Sequence, residues 1–287
     1  MALGVATSAA VAAPIGEYAA FKECPLSVPN IESCIYSETT SGEVVIGSTA
    51  TPISAPIVFQ GGETRENIIK EIEVKGKIRK ESEEVRKFVP AANGETLVKT
   101  PEPVPGGLAG LIKCNEITNL IGKALCQLVF ENGLTGVNAT TELVGEANFS
   151  FDALASGETG LIMPVRLHLE NPLLGSECYV GSAGDPIMFE LTTGITSPPA
   201  PNEPITGSSG AVEVRNGGSL VIAHEDSAVD NSFAVPDASG CGGSLLSVII
   251  DPIIDAKLGL PSEAGNNAAI LNGTLEAGSV EAVEASE

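Results

Sequence analysis

Residues 164–194 constrain the fold most strongly, because they contain two segments in which apolar and polar side chains alternate. Every second residue is apolar in 165–169 (VRLHL) and again in 187–191 (IMFEL). A period of two residues is typical of a strand with one buried and one solvated face. The glycine-containing segment 179–184 interrupts the pattern, so the sequence predicts a hairpin-like pair of strands with Cys178 in the connection.

The rest of the chain has a composition that suits many short strands joined by turns. Its 287 residues include 32 glycines and 19 prolines, and this favours turns over long helices. Strands are predicted at 43–47, 53–60, 134–144, 161–169, 187–191, 211–214, 220–223 and 268–275, with a strand or buried segment at 245–254. Asn216-Gly217 favours a tight hairpin turn between two of them. We therefore predict a mainly β protein, built as an antiparallel β-sandwich or a barrel-like sheet.

One segment, at about residues 115–130, instead has the periodicity of a short amphipathic helix. Its apolar residues recur at spacings of three and four, and they are Ile117, Leu120, Ile121, Ala124, Leu125 and Leu128. Asn115 is a suitable N-cap and Asn132-Gly133 a suitable end. A membrane or partner helix would show the same pattern, but packing on the sheet is favoured for a single helix of this length.

We predict a single β-rich domain over residues 17–276, with a proline- and glycine-rich linker inside it at 100–110. Residues 63–88 contain eight of the 15 lysines and arginines, interspersed with glutamates. They predict an exposed ribbon or a frayed helix. Their charges nearly cancel, so a solvated insertion is favoured over a basic docking arm. The acidic tail 277–287 is predicted to be loose.

The N-terminal residues 1–13 are small and apolar, and they contain the Ala10-Val11-Ala12 pattern that signal peptidases recognise, without a basic segment before it. We interpret them as the remnant of a signal peptide or as an alanine-rich lead-in. The chain has six cysteines, none of them in CxxC spacing. An even number of scattered cysteines predicts three disulfides in an oxidising compartment rather than a zinc site. We therefore predict a secreted or cell-surface protein.

The disulfides that we predict are Cys24 with Cys34, Cys114 with Cys126, and Cys178 with Cys241. The middle pair conflicts with an unbroken helix, in which twelve residues would separate the Cα atoms by roughly 18 Å. A disulfide tolerates at most about 7 Å. This pairing therefore requires a helix that is broken near Gly122 or that begins after Cys114 has folded back.

Acidic residues dominate the charge of the chain. There are 37 aspartates and glutamates against 15 lysines and arginines, which gives a net charge of −22. Such a chain would be repelled by DNA or RNA, so nucleic acid is not an expected partner. No stretch approaches about 18 uninterrupted apolar residues, which predicts that the protein has no transmembrane span.

The sequence lacks the common motifs of catalysis and cofactor binding. It contains no GxSxG elbow, P-loop or GxGxxG fingerprint, and its two histidines are His168 and His224. His168 occupies the polar phase of its strand, which predicts a solvent-facing side chain. We predict no catalytic residue and no cofactor, although a carboxylate pair of the glycosidase type would escape notice among 37 acidic residues.

The nearest approach to a metal site is the acidic segment 223–232 (AHEDSAVDNS). Glu225, Asp226 and Asp230 could supply oxygen ligands to calcium. The segment lacks the spacing of an EF-hand, with no glycine at the sixth position and no glutamate at the twelfth. Acidic loops are also ordinary in so anionic a chain, so an unoccupied loop is favoured over a calcium site.

Several segments of the sequence together resemble uncharacterised exported proteins of actinobacteria. They are CNEITNL (114–120), FENGLTGVNATTEL (130–143), NPLLGSECYVGS (171–182), GCGG (240–243), DPIIDAKLGLP (251–261) and AAILNGTL (268–275). The resemblance covers most of the chain from about residue 20 onward, and 63–88 is the least similar part. It implies secretion or residence at the cell surface, and it implies no activity, cofactor or catalytic residue.

Two hypotheses for the function follow. In the first, this is a non-catalytic secreted or cell-envelope protein that presents a disulfide-braced β surface to the cell wall or to an extracellular protein. The alternative is a secreted hydrolase or a protein that binds an apolar ligand between sheet and helix. A filled core would favour the first hypothesis. A deep apolar pocket lined by the strand faces and by Ile117, Leu120 and Leu125 would favour the alternative.

Overall fold

The computed structural model describes residues 13–74, 77–98, 100–108 and 136–287. The predicted helix at about 115–130 and the predicted Cys114–Cys126 disulfide lie outside these residues, as does the N-terminal lead-in apart from its last residue. Within the described ranges, no helix is long and apolar enough to cross a membrane.

Fourteen strands from the described part of the chain form one antiparallel sheet. They are β1 (Ile31–Ile46), β2 (Thr49–Pro52), β3 (Ile57–Val74), β4 (Lys77–Pro90), β5 (Glu102–Pro103), β6 (Asn138–Leu143), β7 (Asn148–Phe149), β8 (Thr159–Glu170), β9 (Tyr179–Val180), β10 (Ile187–Thr192), β11 (Ala211–Arg215), β12 (Leu220–Asp230), β13 (Ala238–Ser239) and β14 (Ala268–Ser279). The main path through the sheet is β13-β9-β8-β10-β12-β14-β1-β3-β4. The helices within the described ranges are α1 (Phe151–Ser156), α2 (Gly243–Leu258) and α3 (Val280–Glu284), with short 3-10 helices at Gly16–Phe21 and Asn216–Gly218.

The sheet curls, so that strands from distant parts of this path share one hydrophobic core. Phe59 on β3 stacks on Phe88 of β4 with ring centroids 4.9 Å apart. The ring centroid of Phe149 on β7 lies 6.0 Å from that of Phe59. Strand β7 in turn pairs with β8. This aromatic cluster therefore joins the β3–β4 end of the path to the β8 region, and the predicted mainly β, sandwich-like fold is confirmed.

The two alternating segments 165–169 and 187–191 lie in the centre of the core. They belong to β8 and β10, which pair with Val165 opposite Ile187. Val165, Ile187 and Leu191 are fully buried. Part of the connection forms β9, which pairs with the same edge of β8 as β10 does, since β6 occupies the opposite edge. The predicted pair of antiparallel strands is therefore confirmed.

The charged stretch 63–88 forms a two-stranded ribbon. β3 and β4 pair without interruption from Gly61 opposite Pro90 to Val74 opposite Lys77. Ile69 and Ile78 are exposed. The structure thus has the predicted ribbon and not the frayed helix. Charged side chains along such an edge oppose pairing with strands of other chains.

Residues 245–254, predicted as a strand or buried segment, are instead part of α2. Ile254 and Leu258 are four residues apart and pack on the core, which is the spacing of one face of a helix. The carboxylate of Asp251 accepts a 2.7 Å hydrogen bond from the backbone N–H of Cys241. This bond anchors the helix to the turn before it.

The tail 277–287, predicted to be loose, is also ordered. β14 continues to Ser279, whose hydroxyl caps α3 by accepting a hydrogen bond from the backbone N–H of Ala282. Val283 is fully buried in a second hydrophobic cluster that also contains Phe21. The reason is the apolar face of the short helix, which the acidic composition of the tail conceals.

Candidate functional site

An apolar cavity of about 120 Å³ lies inside the curled sheet. Strands β1, β8, β10 and β14 contribute to its walls, as does the C-terminal end of α2. The larger apolar side chains that line it include Val44, Ile46, Met163, Leu169, Phe189 and Leu271. Because side chains alternate between the two faces of a strand, the inward positions that build the core also line this cavity.

Glu102 on β5 brings a carboxylate to the cavity wall, where its hydrogen bonds come from the neighbouring segment. It accepts a bond of 2.8 Å from the backbone N–H of Ala55 and one of 3.1 Å from that of Ser54. The Ser54 hydroxyl also donates to it. A buried carboxylate is tolerated when several donors compensate it. Glu102 therefore fixes the segment that carries Ile53, another lining residue, against β5.

Described residues on either side of the range 109–135, which the structure does not describe, line the cavity or are buried. Val104 and Ala139 line the cavity, while Leu108 and Val137, next to that range, are buried. The residues predicted to line a ligand pocket lie within the range and thus outside the described residues, namely Ile117, Leu120 and Leu125.

The three calcium candidates have separate environments. Glu225 is exposed and lies at a bulge of β12 with a φ of 53°. Asp230 is buried and accepts 2.8 Å hydrogen bonds from the backbone N–H groups of Glu190 and Ser232. Among the residues that the structure describes, no group of three or more His, Cys, Asp or Glu is placed to hold a metal ion. The arrangement gives the calcium hypothesis no support.

Asp226, the third candidate, is a poorly compensated buried carboxyl. It is 8% exposed, and within the described ranges its Oδ1 has no hydrogen-bond partner. Burial raises the pKa of Asp226 to about 6, against a smaller opposing effect of its own backbone amide. The residue borders a void of about 10 Å³, which is at most the space of one water.

His168 is less exposed than its position in the strand pattern predicts. Its side chain is 20% exposed and its ring stacks on Tyr179 with centroids 4.7 Å apart. Arg166 lies 3.8 Å above the centre of the same tyrosine ring. The pairing of β9 with β8 places Tyr179 over this face, which corrects the prediction of a solvent-facing histidine. His224 forms an exposed contact, with Nε2 3.0 Å from Oε2 of Glu213.

The described residues contain two of the three predicted disulfides. Cys24 is bonded to Cys34 across a sequence separation of 10, and Cys178 to Cys241 across 63. The second bond joins the β8–β9 connection to the turn before α2, which explains a cysteine in that connection. Disulfides of this kind are typical of oxidising compartments and are compatible with a secreted protein.

No protein-family model, curated protein or solved structure matches this chain. The lining of the apolar cavity was only partly accessible to sequence reasoning. Alternation assigns Met163 and Leu169 to the inner face of one strand and Leu271 to that of another. Which strands face each other across the interior depends on how the sheet curls, and no local pattern encodes that.

Proposed function

We propose that the protein acts outside the cytoplasmic membrane as a non-catalytic β protein that holds the apolar end of a longer molecule in the cavity. The observation that carries this proposal is a partly open space of about 120 Å³ with a mostly apolar wall. An enclosed apolar cavity of about 150 Å³ stays dry and binds benzene. Because the present space is somewhat smaller and partly open, the expected ligand is the apolar end of a longer molecule.

Export is supported by the two disulfides and by the resemblance to exported actinobacterial proteins. A component of the cell wall or another extracellular protein is the partner that we expect for the outer surface. Absence of turnover is part of the proposal, because Glu102, the carboxylate at the cavity wall, is already engaged by the backbone of Ser54 and Ala55.

The proposal is tested by adding benzene, cyclohexane or octanoate to the full-length protein and measuring its unfolding. A ligand that binds the folded state stabilises it by about 2.7 kcal/mol at a concentration of 100 times its dissociation constant. We expect at least one of these compounds to raise the unfolding midpoint. Ala139→Leu fills part of the cavity and should abolish the rise, whereas Ala211→Leu, the same change on the exposed β11, should preserve it.

The competing occupant is the chain's own segment 109–135, because Val104 and Ala139, which precede and follow it in the sequence, line the cavity. If that segment fills the space, no apolar compound will stabilise the protein, and Leu120→Asp will lower its stability sharply. That combined result would overturn the proposal. Equal ligand responses of Ala139→Leu and Ala211→Leu would also contradict it, since the compounds would then bind elsewhere.

A further inference from the structure

A second depression, of about 210 Å³, lies at the base of the ribbon formed by β3 and β4. Strands β1 and β14 provide its floor, and α1 and the start of β12 provide walls. We call it the polar cleft, and the residues that carry its chemistry are Glu32, Ser33, Glu63, Arg65, Arg86 and Phe151. It is separate from the apolar cavity, with which it shares none of its lining residues.

Glu63 is the residue of the polar cleft that points to a ligand. It is 4% exposed, and the hydroxyl of Ser33 donates to its Oε2 at 3.4 Å. Its other oxygen, Oε1, is buried and finds no hydrogen-bond partner in the part of the chain that the structure describes. Folded proteins rarely leave a buried acceptor unpaired, so Oε1 has a free position for an incoming donor.

The charges around the cleft exclude an anion as its natural ligand. Arg65 lies 3.2 Å from Glu32, and Arg86 lies 3.1 Å from Asp152. Glu84 also contacts both arginines, Arg65 at 2.6 Å and Arg86 at 3.0 Å. With Glu63, these groups make four carboxylates against two guanidinium groups. Both arginines are already neutralised by carboxylates, so an anion would meet a site with an excess of negative charge.

The cleft presents hydrogen-bond donors and acceptors together. The arginines and the hydroxyl of Ser33 can donate, while the carboxylates can only accept when ionised. An ammonium group would need acceptors alone, whereas a hydroxyl group both donates and accepts. Phe151 and Val221 add an apolar wall. The volume exceeds the roughly 150 Å³ that accommodates a benzene ring, so a six-membered ring fits.

We propose that the polar cleft binds a neutral polyhydroxylated ring, such as one monosaccharide unit. One of its hydroxyl groups donates to Oε1 of Glu63, and others exchange hydrogen bonds with Ser33 and the arginines. The less polar face of the ring lies against Phe151. This site is independent of the apolar cavity and would remain if the ligand proposed for that cavity proved wrong.

The test is calorimetric titration of the full chain with glucose, galactose, mannose, N-acetylglucosamine and inositol. Butylammonium and inorganic phosphate serve as cationic and anionic probes. We expect saturable binding of at least one neutral compound and of neither ion. Glu63→Gln should weaken that binding about tenfold or more, because it removes a charged acceptor. Glu66→Gln removes the same charge from an exposed position of β3 outside the cleft and should leave the affinity unchanged.

Phe151→Ala provides a second variant that preserves every charge, and it should also weaken binding. Circular dichroism melts of each variant establish that a lost signal is not caused by unfolding. The proposal is overturned if no neutral compound saturates the protein, or if butylammonium or phosphate binds instead. It is also overturned if Glu63→Gln, while folded, binds the same compound as tightly as the unaltered chain.

Discussion

The apolar cavity and the polar cleft each contain one buried glutamate, and the two carboxylates have different surroundings. Glu102 in the cavity wall accepts hydrogen bonds from the backbone N–H groups of Ser54 and Ala55 and from the hydroxyl of Ser54. Glu63 in the cleft accepts one bond, from Ser33, and leaves Oε1 without a partner among the described residues. Their exposed fractions are similar, 8% and 4%.

The difference shows that burial alone does not distinguish a carboxylate that stabilises the fold from one that can accept a hydrogen bond from a ligand. What separates the two residues is the number of donors that the protein's own chain supplies. Asp226 extends the comparison, because it is buried like Glu102 but gains only its own backbone amide as compensation. We therefore expect loss of Glu102 to destabilise the fold, and neutralisation of Asp226 or Glu63 to stabilise it.

The largest effect is expected for Glu102→Ala. This change leaves two backbone N–H groups and a hydroxyl without their acceptor, and an unsatisfied buried donor costs about 1–3 kcal/mol. Because Ser54 is exposed and Ala55 is half-buried, water replaces part of these bonds, and we expect a loss of about 2–3 kcal/mol in the free energy of unfolding, measured by urea denaturation. An apolar ligand should also stabilise the Glu102→Ala variant less than the unaltered chain, because the segment that carries Ile53 is no longer held at the cavity wall.

Glu102→Gln is the matched control for this change. Its remaining amide oxygen can still accept one of the backbone bonds, so a smaller loss of about 1–2 kcal/mol is expected. If Glu102→Ala cost no more than Glu102→Gln, the hydrogen bonds to Ser54 and Ala55 would not be what stabilises this wall.

An opposite and pH-dependent effect is expected for Asp226→Asn. Burial raises the pKa of Asp226 from 3.8 to about 6, so the folded state binds more protons than the unfolded state between these values. Stability then falls as the pH rises through this window, and the full penalty applies above it. A shift of this size corresponds to at most about 3 kcal/mol. The asparagine variant should be more stable at neutral pH by up to that amount.

Denaturation of both proteins at about pH 4, 5 and 7 measures this gain. The difference between them should be small near pH 4 and grow toward pH 7, because only the unaltered chain ionises the buried carboxyl. Glu225→Gln, at the exposed neighbouring position, should change stability little at any of these values. A gain that did not vary with pH would have a cause other than the ionisation of Asp226.

Much of the sheet could be predicted because alternation is a local property of the chain. The pairing of β8 with β10 follows from segments 165–169 and 187–191. A hairpin does turn at Asn216-Gly217 between β11 and β12, but its loop has four residues, because Arg215 lies opposite Leu220. α2 could not be predicted in the same way, since its residues are apolar in an almost continuous run and fit a buried strand equally well.

The apolar cavity and the polar cleft could not be predicted, because they depend on contacts between distant parts of the chain. Glu63 opens a charged stretch and Glu102 follows a proline, and nothing local distinguishes either from the other acidic residues, 37 in total. Their different roles arise from what lies beside them after folding. The backbone at Ser54 faces Glu102, and a bulged pairing of β1 with β3 places Ser33 beside Glu63.

The smallest effect, and the one that decides the comparison, is expected for the stability of Glu63→Gln. Burial raises the pKa of Glu63 above 4.5, while the charge of Arg86 and the bond from Ser33 act in the opposite direction. Since the folded pKa is the higher one, stability falls as the pH rises above 4.5. Glu63→Gln should remove this fall and raise stability at pH 7, by less than Asp226→Asn because Asp226 has no neighbouring cation among the causes of its shift. Urea denaturation at about pH 4 and 7 measures the difference. A loss of stability at pH 7 would instead make Glu63 a structural carboxylate of the same kind as Glu102, and the free position at Oε1 would then no longer indicate a ligand.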